Sequence, residues 1–169
     1  MNKIIGNFRG FNGRLNRQPF WISAIILAVI SVVISLVILP LIGLSLMPAM
    51  PALDGTATPA DVANIINTAH TRSGWVSLIL FLVFLYPGAA ISIKRRHDRN
   101  NNGYDAMGLI AVSILWNLLT ALGVVSAVGG IGQAVSVIIG IYAIYILVVV
   151  GFLKGTAGAN NYGPDPLQG

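Results

Sequence analysis

From Ala106 to Leu153 the chain runs 48 residues without one charged side chain. A helix rises about 1.5 Å per residue and the hydrocarbon core of a bilayer is about 30 Å thick, so about 20 residues cross it. The block is too long for one crossing. Gly129-Gly130-Ile131-Gly132-Gln133 is the natural place for a reversal, which divides it into spans of about 106–128 and 133–153. Two earlier uncharged runs, 20–47 and 74–93, are also long enough to span. Pro40 is expected to kink or end the first, and Tyr86-Pro87 to bend the second. The expectation is an all-α polytopic membrane protein, residues 1–169 forming one four-helix transmembrane bundle. Composition agrees, with 9% charged residues against about 25% in a soluble domain. The first run begins late and is about twice the apolar core of a signal peptide, so it reads as a retained helix.

Charge placement predicts orientation. The segment before the first span holds Lys3, Arg9, Arg14 and Arg17 without an acid, and Lys94-Arg95-Arg96-His97-Asp98-Arg99 follows the second span. With four crossings the N-terminus, the 94–105 loop and the 154–169 tail share one side with nine of the ten Lys and Arg residues; only Arg72 lies opposite. Basic flanks favour the cytoplasm, so both termini are expected there. Three crossings would move the tail and Lys154 across, and the charge count disfavours this. The excess of +5 is thereby explained without a nucleic-acid partner, since the stacking aromatics such a partner requires are missing.

The outer 48–73 connection contains Thr58-Pro59-Ala60-Asp61, an N-cap, a proline at N1 and an acid at N3. Val62, Ile65, Ile66 and Ala69 then share a face, which predicts a short amphipathic helix along the membrane surface. Within the spans, Ala24, Ala28, Ser31 and Ser35, and likewise Ser136, Gly140 and Ala143, form small-residue packing faces. Asn117 lies near mid-membrane, where a buried amide requires a partner; Tyr142, at similar depth on the next helix, is the expected one.

Three charged or polar segments frame the spans: Gly13-Arg14-Leu15-Asn16-Arg17-Gln18-Pro19-Phe20-Trp21, Lys94-Arg95-Arg96-His97-Asp98, and Gly155-Thr156-Ala157-Gly158-Ala159-Asn160-Asn161-Tyr162-Gly163-Pro164-Asp165-Pro166. Together and in this order they resemble the bacterial inner-membrane family catalogued as domain of unknown function 805. The resemblance covers nearly the whole chain. Arg96 departs from a usual Leu, and Asn102-Gly103-Tyr104 stands where Ser-Gly-Trp is frequent. The resemblance implies location and fold, and carries no activity.

Two physical roles suit these residues. Arg14, Arg17, Arg95, Arg96 and Arg99 lie where each basic residue gains about 1 kcal/mol from an anionic leaflet, and Phe20 and Trp21 suit interfacial anchors. Alternatively the three segments fold into one cytoplasmic cap, in which Asp98 and Asp165 accept from guanidinium groups. Gly155, Gly158 and Gly163 then turn the tail, and the Asn160 amide fixes it. Arginines left unpaired by the cap are expected to hold a phosphate-bearing headgroup. His97-Asp98 is a poor acid–base pair, because adjacent residues seldom aim their own side chains at each other and no nucleophile motif accompanies them. No metal or cofactor motif occurs, so none is expected. The expected role is non-enzymatic interaction with anionic phospholipid, with a partner membrane protein or as a homo-oligomer; the alternative is a small oligomeric channel or transporter subunit.

Overall fold

The computed structural model describes residues 2–44, 57–127 and 130–168. Among them are a short helix α1 (Asn2–Asn7) and four helices long and apolar enough to span: α2 (Arg17–Leu41), α3 (Pro59–Asp98), α4 (Tyr104–Ala121) and α5 (Gly130–Phe152). The chain is an all-helical membrane protein. Residues 45–56, where the first run and the outer connection meet, lie outside the described residues.

α2 reaches Leu41 through a π-helical turn at Ile34–Ile38. Pro40 has no N–H to give and its ring crowds the carbonyl four residues back, a strain that a widened turn absorbs. The most extensive correction concerns α3. Thr58 and Asp61 form a full capping box, Thr58 Oγ1 accepting from the Asp61 N–H at 3.2 Å and Asp61 Oδ2 accepting from the Thr58 N–H at 2.9 Å. The helix begun there does not stop at the membrane surface. It runs 40 residues to Asp98, about 60 Å against a core of about 30 Å. Residues 59–73 are therefore an extension of a span, not a separate amphipathic helix. Nothing between the cap and Asp98 breaks the helix: Gly74 is helical, and Pro87 lies inside it.

At its other end α3 carries Lys94 to Asp98 as a last helical turn, so the connection to α4 is the turn 99–103 rather than a 94–105 loop. The reversal after α4 also comes early. The helix ends at Ala121, and Gly123 turns the chain with a left-handed φ of +71°.

α3 is the central helix. α4 packs along it, α2 crosses it, and the end of α5 meets both α2 and α3. A Cβ on Gly74 would lie 2.8 Å from the Ala121 nitrogen, so α3 and α4 touch there backbone to backbone. The core collects near the charged end, where Leu15, Phe20, Ile91, Ala106, Ile146 and Val150 bury one another. Phe20, expected at the interface, is 4% exposed and belongs to this core.

The mid-membrane contact expected between Asn117 and Tyr142 does not form. Asn117 Nδ2 donates to the Ser113 carbonyl one turn back at 2.8 Å. The Tyr142 hydroxyl instead donates to the Asp105 carbonyl at 2.6 Å, at the start of α4. A carbonyl on the same helix satisfies the amide without ordering a second helix, and that local choice wins.

Candidate functional site: a buried charged cap

Lys94, Arg95, Arg96, His97 and Asp98 are all buried. Ionised groups are held in a protein interior only when paired and hydrogen-bonded, and each of these has a specific partner.

Asp98, 3% exposed, is the hub. Its Oδ1 accepts from Arg14 Nε at 3.2 Å and Nη2 at 3.1 Å, and its Oδ2 accepts from Arg95 Nη1. One carboxylate thus joins the segment before the first span to the end of the second. Arg95 is fully buried. Its Nε donates to the Val150 carbonyl at 2.7 Å and its Nη2 to the Leu153 carbonyl. α5 ends there in a second π-helical turn, Val148–Phe152. The last carbonyls of a helix lack N–H partners and carry the negative end of its dipole, so a guanidinium satisfies them in both respects.

Arg14 holds the tail. Its Nη2 donates to the Thr156 carbonyl and its Nη1 to the Gly158 carbonyl, both at 2.6 Å. Thr156 N–H donates to the Asp98 carbonyl at 2.8 Å. A Cβ on Gly155 would overlap the Asp98 carboxylate, so Gly155 is required by contact; Gly158 and Gly163 take left-handed φ values of +73° and +132°. Asn160 Nδ2 donates to the His97 carbonyl and to Thr156 Oγ1, both at 2.9 Å, while its Oδ1 accepts the Tyr162 N–H at 2.9 Å. Asp165, expected to take a guanidinium, accepts two backbone N–H groups instead: Gly158 at 2.9 Å and Leu167 at 3.0 Å. Those two bonds hold its carboxyl below the usual carboxylate range. Arg14 already points its donors at Asp98 and the tail carbonyls, which leaves none for Asp165.

Arg96 pairs with Asp105 through Nε at 3.0 Å and Nη2 at 2.6 Å, clamping the turn between α3 and α4. His97 Nδ1 lies 3.2 Å from the Gly13 carbonyl, which can only accept, so that nitrogen carries the proton. The Tyr162 ring stacks on the imidazole at 3.8 Å. Burial pushes the imidazole below its ordinary range, and the Gly13 contact opposes this. His97 and Asp98 do not meet as an acid–base pair.

Arg95 and Arg96 are consumed by internal partners and are not the unpaired cations expected to face a headgroup. Arg17 and Lys154 are exposed and Arg99 is half-buried. Arg17 spends one donor on the Phe152 carbonyl at 3.3 Å. Trp21 is half-buried; its indole N–H donates to the Gly151 carbonyl at 2.9 Å, and a Cβ on Gly151 would lie 2.7 Å from its ring.

Sequence reasoning gave no role to Lys94, whose Nζ donates to the carbonyls of Gly6, Asn7 and Arg9 at 3.0, 3.0 and 2.6 Å and so closes the end of α1. It also passed over Asp105 and Tyr162. Asp105 left a signal, as an acid in the first turn of α4 facing a basic run across a short turn. The carbonyl partners of Lys94 and Arg95 left none.

The model of the family described as protein of unknown function (DUF805) matches residues 8–164, a stretch that contains Arg14, Lys94 to Asp98, Asp105 and Asn160 of the cap. The chain belongs to the DUF805 family. Two curated relatives match, both called inner membrane protein YhaI, from Escherichia coli strains K12 and O157:H7. Each is 22% identical over 166 residues, covering 98% of this chain and 93% of its own length. No solved structure matches. Within this DUF805 chain, Arg96 makes its ion pair with Asp105.

Proposed function

We propose that this DUF805 protein is a non-enzymatic component of the bacterial inner membrane, with its cap and both termini in the cytoplasm, that interacts with anionic phospholipid. The observation that carries the reading is a division of the cations. Arg14, Lys94, Arg95 and Arg96 are tied inside the cap by carboxylates and carbonyls. Arg9, Arg17, Arg99 and Lys154 belong to no ion pair among the described residues. Such free cations at a membrane rim attract anionic headgroups at about 1 kcal/mol each. The inner-membrane location draws on the relatives' name.

A non-enzymatic role is supported by what the titratable groups of the cap already do. Both oxygens of Asp98 are taken by guanidinium groups, and the His97 ring is covered by Tyr162. The channel-subunit reading draws less support, since Asn117 is tied to its own helix.

Native mass spectrometry from mild detergent tests the proposal by reporting copy number and co-purified lipid together. Retained phosphatidylglycerol or cardiolipin is the expected result. Retention of zwitterionic lipid alone, or of none, overturns it.

A further inference from the structure

Beside the cap, where α2 begins and α5 ends, lies a concavity of about 470 Å³. Asn16, Arg17, Gln18, Lys154 and Thr156 line it. It shares Asn16 and Gln18 with a neighbouring cavity of about 560 Å³ that reaches Ile4 and Ile22.

Its charge is not cancelled. Arg17, Arg95 and Lys154 face Asp98 and Asp165 across the lining, three cations against two carboxylates. Asp98 already carries two guanidinium partners, and Asp165 is occupied by the N–H groups of Gly158 and Leu167. The cations of the lining that stand outside the ion pairs are Arg17, with one N–H engaged, and Lys154, which sits on the exposed surface. No acid stands in the first turn of α2, and Asn16 makes no side-chain capping bond, so the chain supplies no anion of its own to this corner.

Apolar surface flanks the polar corner: Phe152 is 58% exposed and Ile22 40%.

We infer that this concavity is a binding site for one anionic phospholipid. The phosphodiester is taken by Arg17 and Lys154, and the acyl chains lie along Ile22 and Phe152. Arg17 contributes the planar fork that suits a phosphate, and Lys154 a point charge. The assignment rests on the lipid-interaction reading above and names the site and the lipid class.

The experiment reconstitutes the full chain in nanodiscs of equal phosphatidylglycerol and phosphatidylcholine and counts retained lipid by native mass spectrometry. The expected result is one retained phosphatidylglycerol, lowered about tenfold in occupancy ratio by Arg17→Gln with Lys154→Gln, as befits lost charge-assisted bonds. Arg72→Gln, exposed near the opposite end of α3, should leave it in place. These variants alter side chains outside the core, so unchanged melting shows that a loss is not misfolding. If Arg9→Gln with Arg99→Gln abolishes retention and the first pair does not, the site is wrong while the lipid reading stands. If the wild type shows no preference for phosphatidylglycerol, both fall. Displacement of the bound lipid by millimolar inorganic phosphate makes free phosphate the ligand and overturns the lipid assignment.

Discussion

The membrane-spanning body and the charged end of α3 obey different rules. Within the membrane-spanning body, polar side chains look inward along their own helices: Ser35, Asn117 and Ser136 each donate to a carbonyl one turn back. At the charged end nearly every polar side chain reaches another element, with Asp98, Arg95, Arg14 and Lys94 joining four segments of chain. The difference follows from solvent. Lipid is as apolar as leucine, so apolar faces gain little by meeting, and a polar group is satisfied most simply where it stands. Buried ions have no such local remedy and must be met by partners of fixed geometry. The body is thus aligned loosely by small residues, while the cap specifies which segment lies beside which.

Removing the hub should break this contrast most severely. Asp98→Ala leaves the Arg14 and Arg95 guanidinium groups buried without their anion, which costs about 3–5 kcal/mol; melting and folded yield in detergent read the loss. An Asp98→Ala protein that melts like wild type would show that the cap does not specify the fold. Gly151→Ala sets a Cβ 2.7 Å from the Trp21 ring and should cost about 1–3 kcal/mol by overpacking. Trp21→Ala, by opening that space, should make the glycine substitution nearly neutral, and the four melting temperatures of the double-mutant cycle check it.

Acid sharpens the comparison by acting on the capped end. His97 lies beyond the uncharged 74–93 stretch, and its folded value is depressed, chiefly by burial, so the fold prefers the neutral ring. That contribution is complete above an unfolded value of about 6.5 and is lost as pH falls through the folded value. A melting series below pH 6.5 should therefore decline, and His97→Gln should flatten the decline. Asp165 is depressed too, by the Leu167 and Gly158 N–H groups, so its share fades only below the ordinary carboxylate range. Asp165→Ala should loosen the tail yet destabilise less than Asp98→Ala, measurable as faster proteolysis after Lys154. The smallest effect belongs to the body: Asn117→Ala removes a bond within one helix and should shift stability by less than about 0.5 kcal/mol.

The same division decides what was legible in the sequence. Crossing segments could be read because a missing charge is visible residue by residue, and Thr58 with Asp61 announced the start of α3. The extent of α3 was harder to read. The shared face of Val62, Ile65, Ile66 and Ala69 suggested a short surface helix, but amphipathicity does not end a helix; only a breaker or a cap does. Charge similarly made Lys94 to Asp98 look like a loop, whereas their partners allow them to stay helical and buried. Asp98 could be singled out as a guanidinium acceptor because both partners are side chains with opposite charge. The carbonyls of Val150, Leu153 and Arg9 could not, since every residue has one and only the fold selects which are used.

The reach of Asp98 has a consequence for biosynthesis. Its carboxylate and carbonyl are met from Arg14 near the beginning of the chain and from Thr156 near its end. A ribosome delivers these pieces in order, so Arg14 and Arg95 can meet the Asp98 carboxylate as soon as α3 is made, whereas the Arg14 bonds to the Thr156 and Gly158 carbonyls wait for the tail to emerge. A product truncated before Gly155 keeps the ion pairs of the hub and leaves those guanidinium donors without their carbonyls.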